Sequence, residues 1–439
     1  MIDRLRSPYD REIARLALPA LGTLVSEPLY VLADTAIVGR LGTSQLAGLA
    51  LASTVLLSIH GLLIFLAYGT TATVSRLFGV GDDAEAARVS VQNLWLALLL
   101  GVVSAAAVHV WATPLLTALG GEGDALVFGR RYLQISAFGL PALLLAVAGA
   151  GVFYGRQDTR TPLLVAVVSA LANLVIESVL IFGFGYAVGA SALATVIAQV
   201  GAAAVFVART GGWARGAGVS LAPRLSQLLV LLAAGRPLML RTIALRGSFT
   251  LATAVAARMG EVEVAAHQVG LQVWATMALA LDAVAIAGQS LTGRWLGAGE
   301  VGRAKAAARR MIELDVAVGV VAGAVILLLR QPLAEVFSND PAVVAAVATV
   351  LVWVAVFEPV NGYVFALDGI LIGAGDLRYL GRTMAAAAVG FGVMAWAVLR
   401  FAPTLSWLWP ALGGLMVLRA VAVWWRFRSG AWVITGRTA

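Results

Sequence analysis

Apolar runs long enough to cross a bilayer recur along the whole chain. About 20 apolar residues in helical form span the hydrocarbon core. Runs of that order lie at 12–38, 47–74, 90–115, 130–153, 162–183, 188–208, 228–256, 266–290, 311–330, 344–371, 382–401 and 405–425. The pattern predicts an all-α polytopic membrane protein with twelve transmembrane helices. Connections between the runs are short. The longest, at 209–227, contains Gly211, Gly212, Gly216, Gly218 and Pro223 and reads as a linker between two halves. Residues 1–210 are then an N-terminal six-helix lobe, 211–227 a cytoplasmic linker and 228–439 a C-terminal six-helix lobe.

The halves repeat. A shift of 218 positions carries Pro19 onto Pro237, Arg40 and Gly42 onto Arg258 and Gly260, and Arg76, Gly79 and Gly81 onto Arg294, Gly297 and Gly299. It also carries Pro141 onto Pro359, and Gly151, Gly155, Asp158 and Arg160 onto Gly369, Gly373, Asp376 and Arg378. Matches of Pro, Arg, Asp and Gly at one offset mean more than matches of Ala or Leu in so apolar a chain. Two six-span copies share an orientation. A pseudo-two-fold axis along the membrane normal and a cavity between lobes near the midplane are therefore expected. That is the design of a rocking carrier, and nothing resembles the filter loop of a channel.

Composition agrees. The chain is 61% hydrophobic and 12% charged, with a mean hydropathy of +0.92. A soluble domain carries about 25% charged residues. With no Cys, disulfides and thiolate chemistry are excluded, and three His (His60, His109 and His267) leave little for a histidine metal site. These histidines read as interfacial or packing residues. The net charge of +8 needs no nucleic-acid partner. Of the 31 Lys and Arg, 22 fall on the side of the termini, Arg4 and Arg6 among them, against 6 on the other side. Both termini are therefore expected in the cytoplasm of a multi-pass inner-membrane protein. The segment from Met1 to Arg15 has no small-residue cleavage site, so the first span is expected to stay as an anchor.

Ionisable groups inside a bilayer are costly and mark function. The spans hold Glu27, Asp34, Glu177, Asp282, Glu358 and Asp368. Pro19 and Pro28 each remove a backbone donor from the first span, where bending is expected. A spacing of four puts Asn173 and Glu177 on one helix face. With Asp34 and Thr195 they form a set of two carboxylates, an amide and a hydroxyl, suited to H⁺ or Na⁺. Two acids in one low-dielectric pocket cannot both ionise cheaply, so one is expected to hold a proton. The repeat replaces these residues by Ala252, Phe391, Ala395 and Gly413, so the chemistry belongs to the first half alone. Asp282, Glu358, Asp368 and Glu27 are candidates for a substrate cavity or a second proton site. The second-half acids could instead pair with Arg241 or Arg246. No metal set, Ser–His pairing or phosphate loop suggests an enzyme.

Several motifs resemble those of the multidrug and toxic compound extrusion (MATE) family. They are Asp34-Thr35-Ala36-Ile37-Val38-Gly39-Arg40-Leu41-Gly42, Gly155-Arg156-Gln157-Asp158-Thr159-Arg160, and Asn173 through Glu177 followed by Gly189 to Thr195. Ala265-Ala266-His267-Gln268 and Asp368 to Gly373 resemble its DNA-damage-inducible protein F branch. The resemblance covers nearly the whole chain. It implies a secondary active antiporter, with no cofactor, exporting bulky and often cationic organic compounds against H⁺ or Na⁺, and working as a monomer. It also implies that Asp34, Asn173, Glu177 and Thr195 form the first-lobe cation site. The family usually has Asp where this chain has Glu177, and the longer side chain favours H⁺ over Na⁺. The alternative is a flippase for a lipid-linked or amphiphilic substrate, which should place several bases in its cavity.

Overall fold

The computed structural model describes residues 7–184 and 186–437, so Arg4 and Arg6 lie outside the described residues. Its helices are α1 (Asp10–Gly39), α2 (Thr43–Leu63), α3 (Phe65–Val80), α4 (Asp83–Ala118), α5 (Gly123–Ala137), α6 (Leu140–Gly155), α7 (Arg160–Ser178) and α8 (Gly189–Gly216). They continue with α9 (Leu225–Ala257), α10 (Glu261–Gly297), α11 (Val301–Phe337), α12 (Pro341–Gly373), α13 (Leu377–Phe401) and α14 (Leu405–Ser429). Among the described residues there is no strand. Among the described residues, eleven helices, with α2 and α3 taken as one, are long and apolar enough to cross a membrane. The pair α5–α6, bent by 54°, makes a twelfth.

The helices keep the 218-residue register. α4 and α11 begin at Asp83 and Val301, and α5 and α12 at Gly123 and Pro341. Short polar starts set these boundaries. Asp82 accepts from Glu85 N at the head of α4, and Asp340 accepts from Ala342 N at the head of α12, with Pro341 in the first turn. Packing repeats too. A Cβ on Gly151 of α6 would lie 2.6 Å from the Ala67 carbonyl oxygen of α3, and Gly369 of α12 meets Ala285 of α10 in the same way. Only glycine permits backbones to approach so closely. Lipid-facing stripes balance these seams. On α7, Leu164, Val168, Leu171 and Val175 are exposed at helical spacing, while Asn173 and Glu177 are buried.

The chain forms two compact units whose borders differ from the expected lobes. One is Gly22–Gly235; the other joins Met1–Leu21 to Arg236–Ala439. Within the second, Arg310 of α11 holds Asp10 of α1 at 2.6 and 2.9 Å, and Tyr9 lies edge-on to Trp295 at 5.6 Å. A long-range ion pair of this kind leaves no local signal in sequence. The expected linker 211–227 is also shorter. α8 continues to Gly216 because Ala214 is buried with Ala87, Val91 and Val219, with Trp213 packed beside them. The connecting segment is then fastened to α4 by Gln92, which donates to the Ala222 carbonyl at 2.9 Å and accepts from Arg224 N at 2.8 Å.

Candidate functional site

Three helices of the Gly22–Gly235 unit each present a polar stripe to one place. On α1 the spacing of Glu27, Tyr30 and Asp34 puts them on one face, and on α8 Ser191, Thr195 and Gln199 recur every fourth residue. α7 adds Asn173 and Glu177, which are buried. They gather around a cavity of about 320 Å³ lined by Glu27, Tyr30, Asp34, His60, Tyr132, Asn173, Thr195 and Gln199, with Leu56, Leu143 and Val165 among its apolar walls.

All four residues expected at the first-lobe site are therefore brought together. Asn173 Nδ2 donates to Thr195 Oγ1 at 2.9 Å, and the Tyr30 hydroxyl lies 3.5 Å from the same oxygen. Asp34, only 4% exposed, accepts from the Ser191 hydroxyl. Glu177 is fully buried behind this layer, next to Asp34 and Ser191, and no donor reaches either of its oxygens. Two carboxyl groups meet with one hydroxyl between them and no cationic side chain bonded to either. Such a pair keeps unpartnered carboxylate oxygens, which a proton or a small cation can satisfy.

Glu27 stands at the same cavity, half-exposed, with His60 Nδ1 3.4 Å away. His60, read in the sequence as an interfacial or packing residue, therefore lines the cavity. His267 does pack: it is buried, with Nε2 3.2 Å from the Thr253 hydroxyl and its ring beside Trp409. Pro19 and Pro28 leave α1 a continuous helix from Asp10 to Gly39.

The other candidates lie in the second unit. Asp368 is clamped by Arg241 and Arg419, each at 2.5 Å, so it is a structural counter-ion. Pairing with Arg241 or Arg246 was the alternative reading of the sequence; the pairing with Arg419 was not considered. Glu358 is fully buried and neither oxygen has a hydrogen-bond donor. It acts on Asp315 of α11, which is equally buried and equally without donors, and Asp282 acts on Asp315 as well. Asp315 escaped the sequence reading, although an acid within the apolar run 311–330 is the same signal that singled out Asp34. Ser191 and Tyr132 were also missed. Among the described residues, no group of three or more His, Asp or Glu forms a metal cluster.

Buried acids beside a cavity, on a scaffold of membrane-spanning helices, are the features of a membrane carrier. The chain belongs to the MatE family, whose sequence model matches residues 19–179 and again 237–398. The two matches begin 218 positions apart, the offset of the internal repeat. Protein DETOXIFICATION 44, chloroplastic, of Arabidopsis thaliana is 31% identical over 96% of this chain and 83% of its own length. The DNA damage-inducible protein F of Escherichia coli is 29% identical over 96% and 94%. A solved multidrug resistance MATE family transporter of the MOP superfamily, in an outward-facing conformation, superposes with a TM-score of 0.86. That comparison covers 98% of this chain and 97% of that one at 23% identity, so it carries the fold alone.

Proposed function

We propose that this transporter exports bulky, often cationic organic compounds in exchange for an inward-moving cation, by alternating access. The observation that carries the reading is the Asp34–Glu177 pair, buried, adjacent and lacking a donor. In the cation-loaded form the pair carries one net negative charge instead of two. Loss of the cation leaves adjacent like charges in a low-dielectric setting, which drives a change in how α1, α7 and α8 pack. H⁺ is favoured. The longer side chain of Glu177, where the family usually has Asp, supports that preference. Na⁺ at Asp34, Asn173, Glu177 and Thr195 is the alternative. The half-exposed carboxylate of Glu27 and the rings of Tyr30 and Tyr132 suit an organic cation in the cavity. Glu358 with Asp315 is a candidate second proton site.

The flippase reading loses support. Arg241 and Arg419, two of the bases that would have met a lipid pyrophosphate, are both bonded to Asp368. The positive-inside count favours an inner-membrane protein with both termini in the cytoplasm. A monomer suffices for the design.

The test is drug transport by proteoliposomes under an imposed pH gradient, with and without Na⁺. Wild-type protein is expected to transport an organic cation such as ethidium when driven by the proton gradient alone. Asp34→Asn is expected to lose that transport while remaining folded in the membrane. Full gradient-driven export by Asp34→Asn would remove Asp34 from the mechanism.

A further inference from the structure

The Gly22–Gly235 unit holds a second cavity of about 380 Å³, separate from the acidic one. It lies where α6 and α3 end and α7 begins, against the last turns of α8, and Phe78, Phe153, Arg156, Asp158, Arg209 and Trp213 line it. The Arg156 guanidinium lies over the Trp213 ring at 4.2 Å. That of Arg209 lies over Phe153 at 5.5 Å and donates to Thr161 Oγ1 at 2.8 Å. Stacking on rings leaves the in-plane N–H edges of a guanidinium free to bind an anion. Among the described residues, neither arginine forms an ion pair. The acids acting on Arg156 are Asp83 and Asp158. Asp158 is engaged in starting α7, accepting from Thr161 N at 3.0 Å and its hydroxyl at 2.6 Å. Trp213 Nε1 is buried and has no acceptor. The cavity thus gathers two guanidinium groups that form no ion pair, beside an indole N–H without an acceptor, a donor set suited to an anion.

The second half of the chain shows that the scaffold does not need these groups. The counterparts of Arg156, Arg209 and Trp213 are Ala374, Phe427 and Ala431. There the counterpart acid, Asp376, is neutralised locally by Arg426 at 2.5 and 3.2 Å. Membrane-ward of the cavity the surface turns apolar within one helical turn. Val205, four residues before Arg209 on α8, and Leu164, in the second turn of α7, are 42% and 64% exposed. A ligand seated here has its anion among arginines and its remainder beside lipid-facing side chains.

We propose that this cavity binds the phosphate of an anionic glycerophospholipid at the headgroup level, on the arginine-rich side of the membrane. Basic pockets between membrane helices on that side are suited to such headgroups. Arg156 and Arg209 bind the phosphate oxygens, and Trp213 Nε1 donates a further hydrogen bond.

The test uses the full-length chain purified in mild detergent. Lipid retention by native mass spectrometry and the thermal midpoint are measured with dioleoylphosphatidylglycerol, dioleoylphosphatidylcholine or sodium phosphate. Wild-type protein is expected to retain phosphatidylglycerol and to gain stability from it beyond that given by phosphatidylcholine. Arg156→Gln/Arg209→Gln is expected to lose that preference while matching the wild-type midpoint in phosphatidylcholine. Trp213→Phe keeps the stacking ring and lowers phosphatidylglycerol affinity about fivefold, the worth of one hydrogen bond; it decides the matter should the double variant not fold. Equal retention by wild type and a folded variant overturns the proposal. So does stabilisation by inorganic phosphate equal to that by phosphatidylglycerol, which would mark a soluble-anion site.

Discussion

The side chains that matter most are those whose hydrogen bonds do not close. Asp34 has one neutral donor, the Ser191 hydroxyl, and Glu177 has none. Ser191→Ala removes the hydroxyl that donates to Asp34 beside Glu177. It is expected to reduce proton-driven export about tenfold, since a hydrogen bond to a charged group is worth about 1.5–3 kcal/mol; initial rates in proteoliposomes check it. Asp368 is the opposite case, an acid whose two arginines satisfy it. Asp368→Asn leaves Arg241 and Arg419 buried together without their counter-ion and is expected to cost about 3–5 kcal/mol, read as a lower thermal midpoint. Much of the first site was legible in the sequence, because a carboxylate in an apolar run and a four-residue spacing are local signals. Ser191 was not. Most hydroxyls in membrane helices bond the preceding turn, as Thr35 does to Val31 at 2.7 Å and Ser58 to Thr54 at 2.7 Å. The sequence does not mark which hydroxyl reaches across instead. His60 and Glu27 meet from different helices, which no spacing predicts.

At the scale of elements, the copies differ where the same proline has different neighbours. Pro141 follows Gly139, and the chain breaks into α5 and α6 at 54°. Pro359 has Phe357 in the matching place, and α12 runs on as one helix. Glycine lowers the cost of leaving helical geometry, and proline removes the bond that would hold the helix together. The close seams are shared by both copies. Gly151→Val and Gly369→Val are each expected to destabilise the fold by about 1–3 kcal/mol, because the facing atoms at Ala67 and Ala285 are backbone and cannot yield as side chains can. Thermal unfolding of the two variants checks this, with similar losses for the pair. Helix ends were the less legible part. The glycines at 211, 212 and 216 suggested a linker, yet burial of Ala214 keeps α8 helical through them.

For the molecule as a whole, the 218-residue offset organised sequence, helix register and glycine seams alike, and it was visible from Pro, Arg, Asp and Gly alone. The borders of the compact units were not, since Asp10 and Arg310 stand 300 residues apart. Orientation has a direct check, because the chain has no native Cys. Ser220→Cys, between α8 and α9, is expected to resist a membrane-impermeant maleimide in intact cells, and Thr404→Cys, between α13 and α14, is expected to react. The reverse labelling would invert the topology.

The account rests on a cation leaving the Asp34–Glu177 pair when an organic cation enters the cavity. Binding at one site then changes occupancy at the other. That exchange can be seen without a membrane. Purified protein in weakly buffered, Na⁺-free detergent solution is mixed with ethidium, and an indicator dye records protons released. About one proton per bound ethidium is expected from wild type and none from Asp34→Asn, the linkage that coupling between the two sites requires. Ethidium binding to wild type without proton release, or undiminished release from Asp34→Asn, would contradict it.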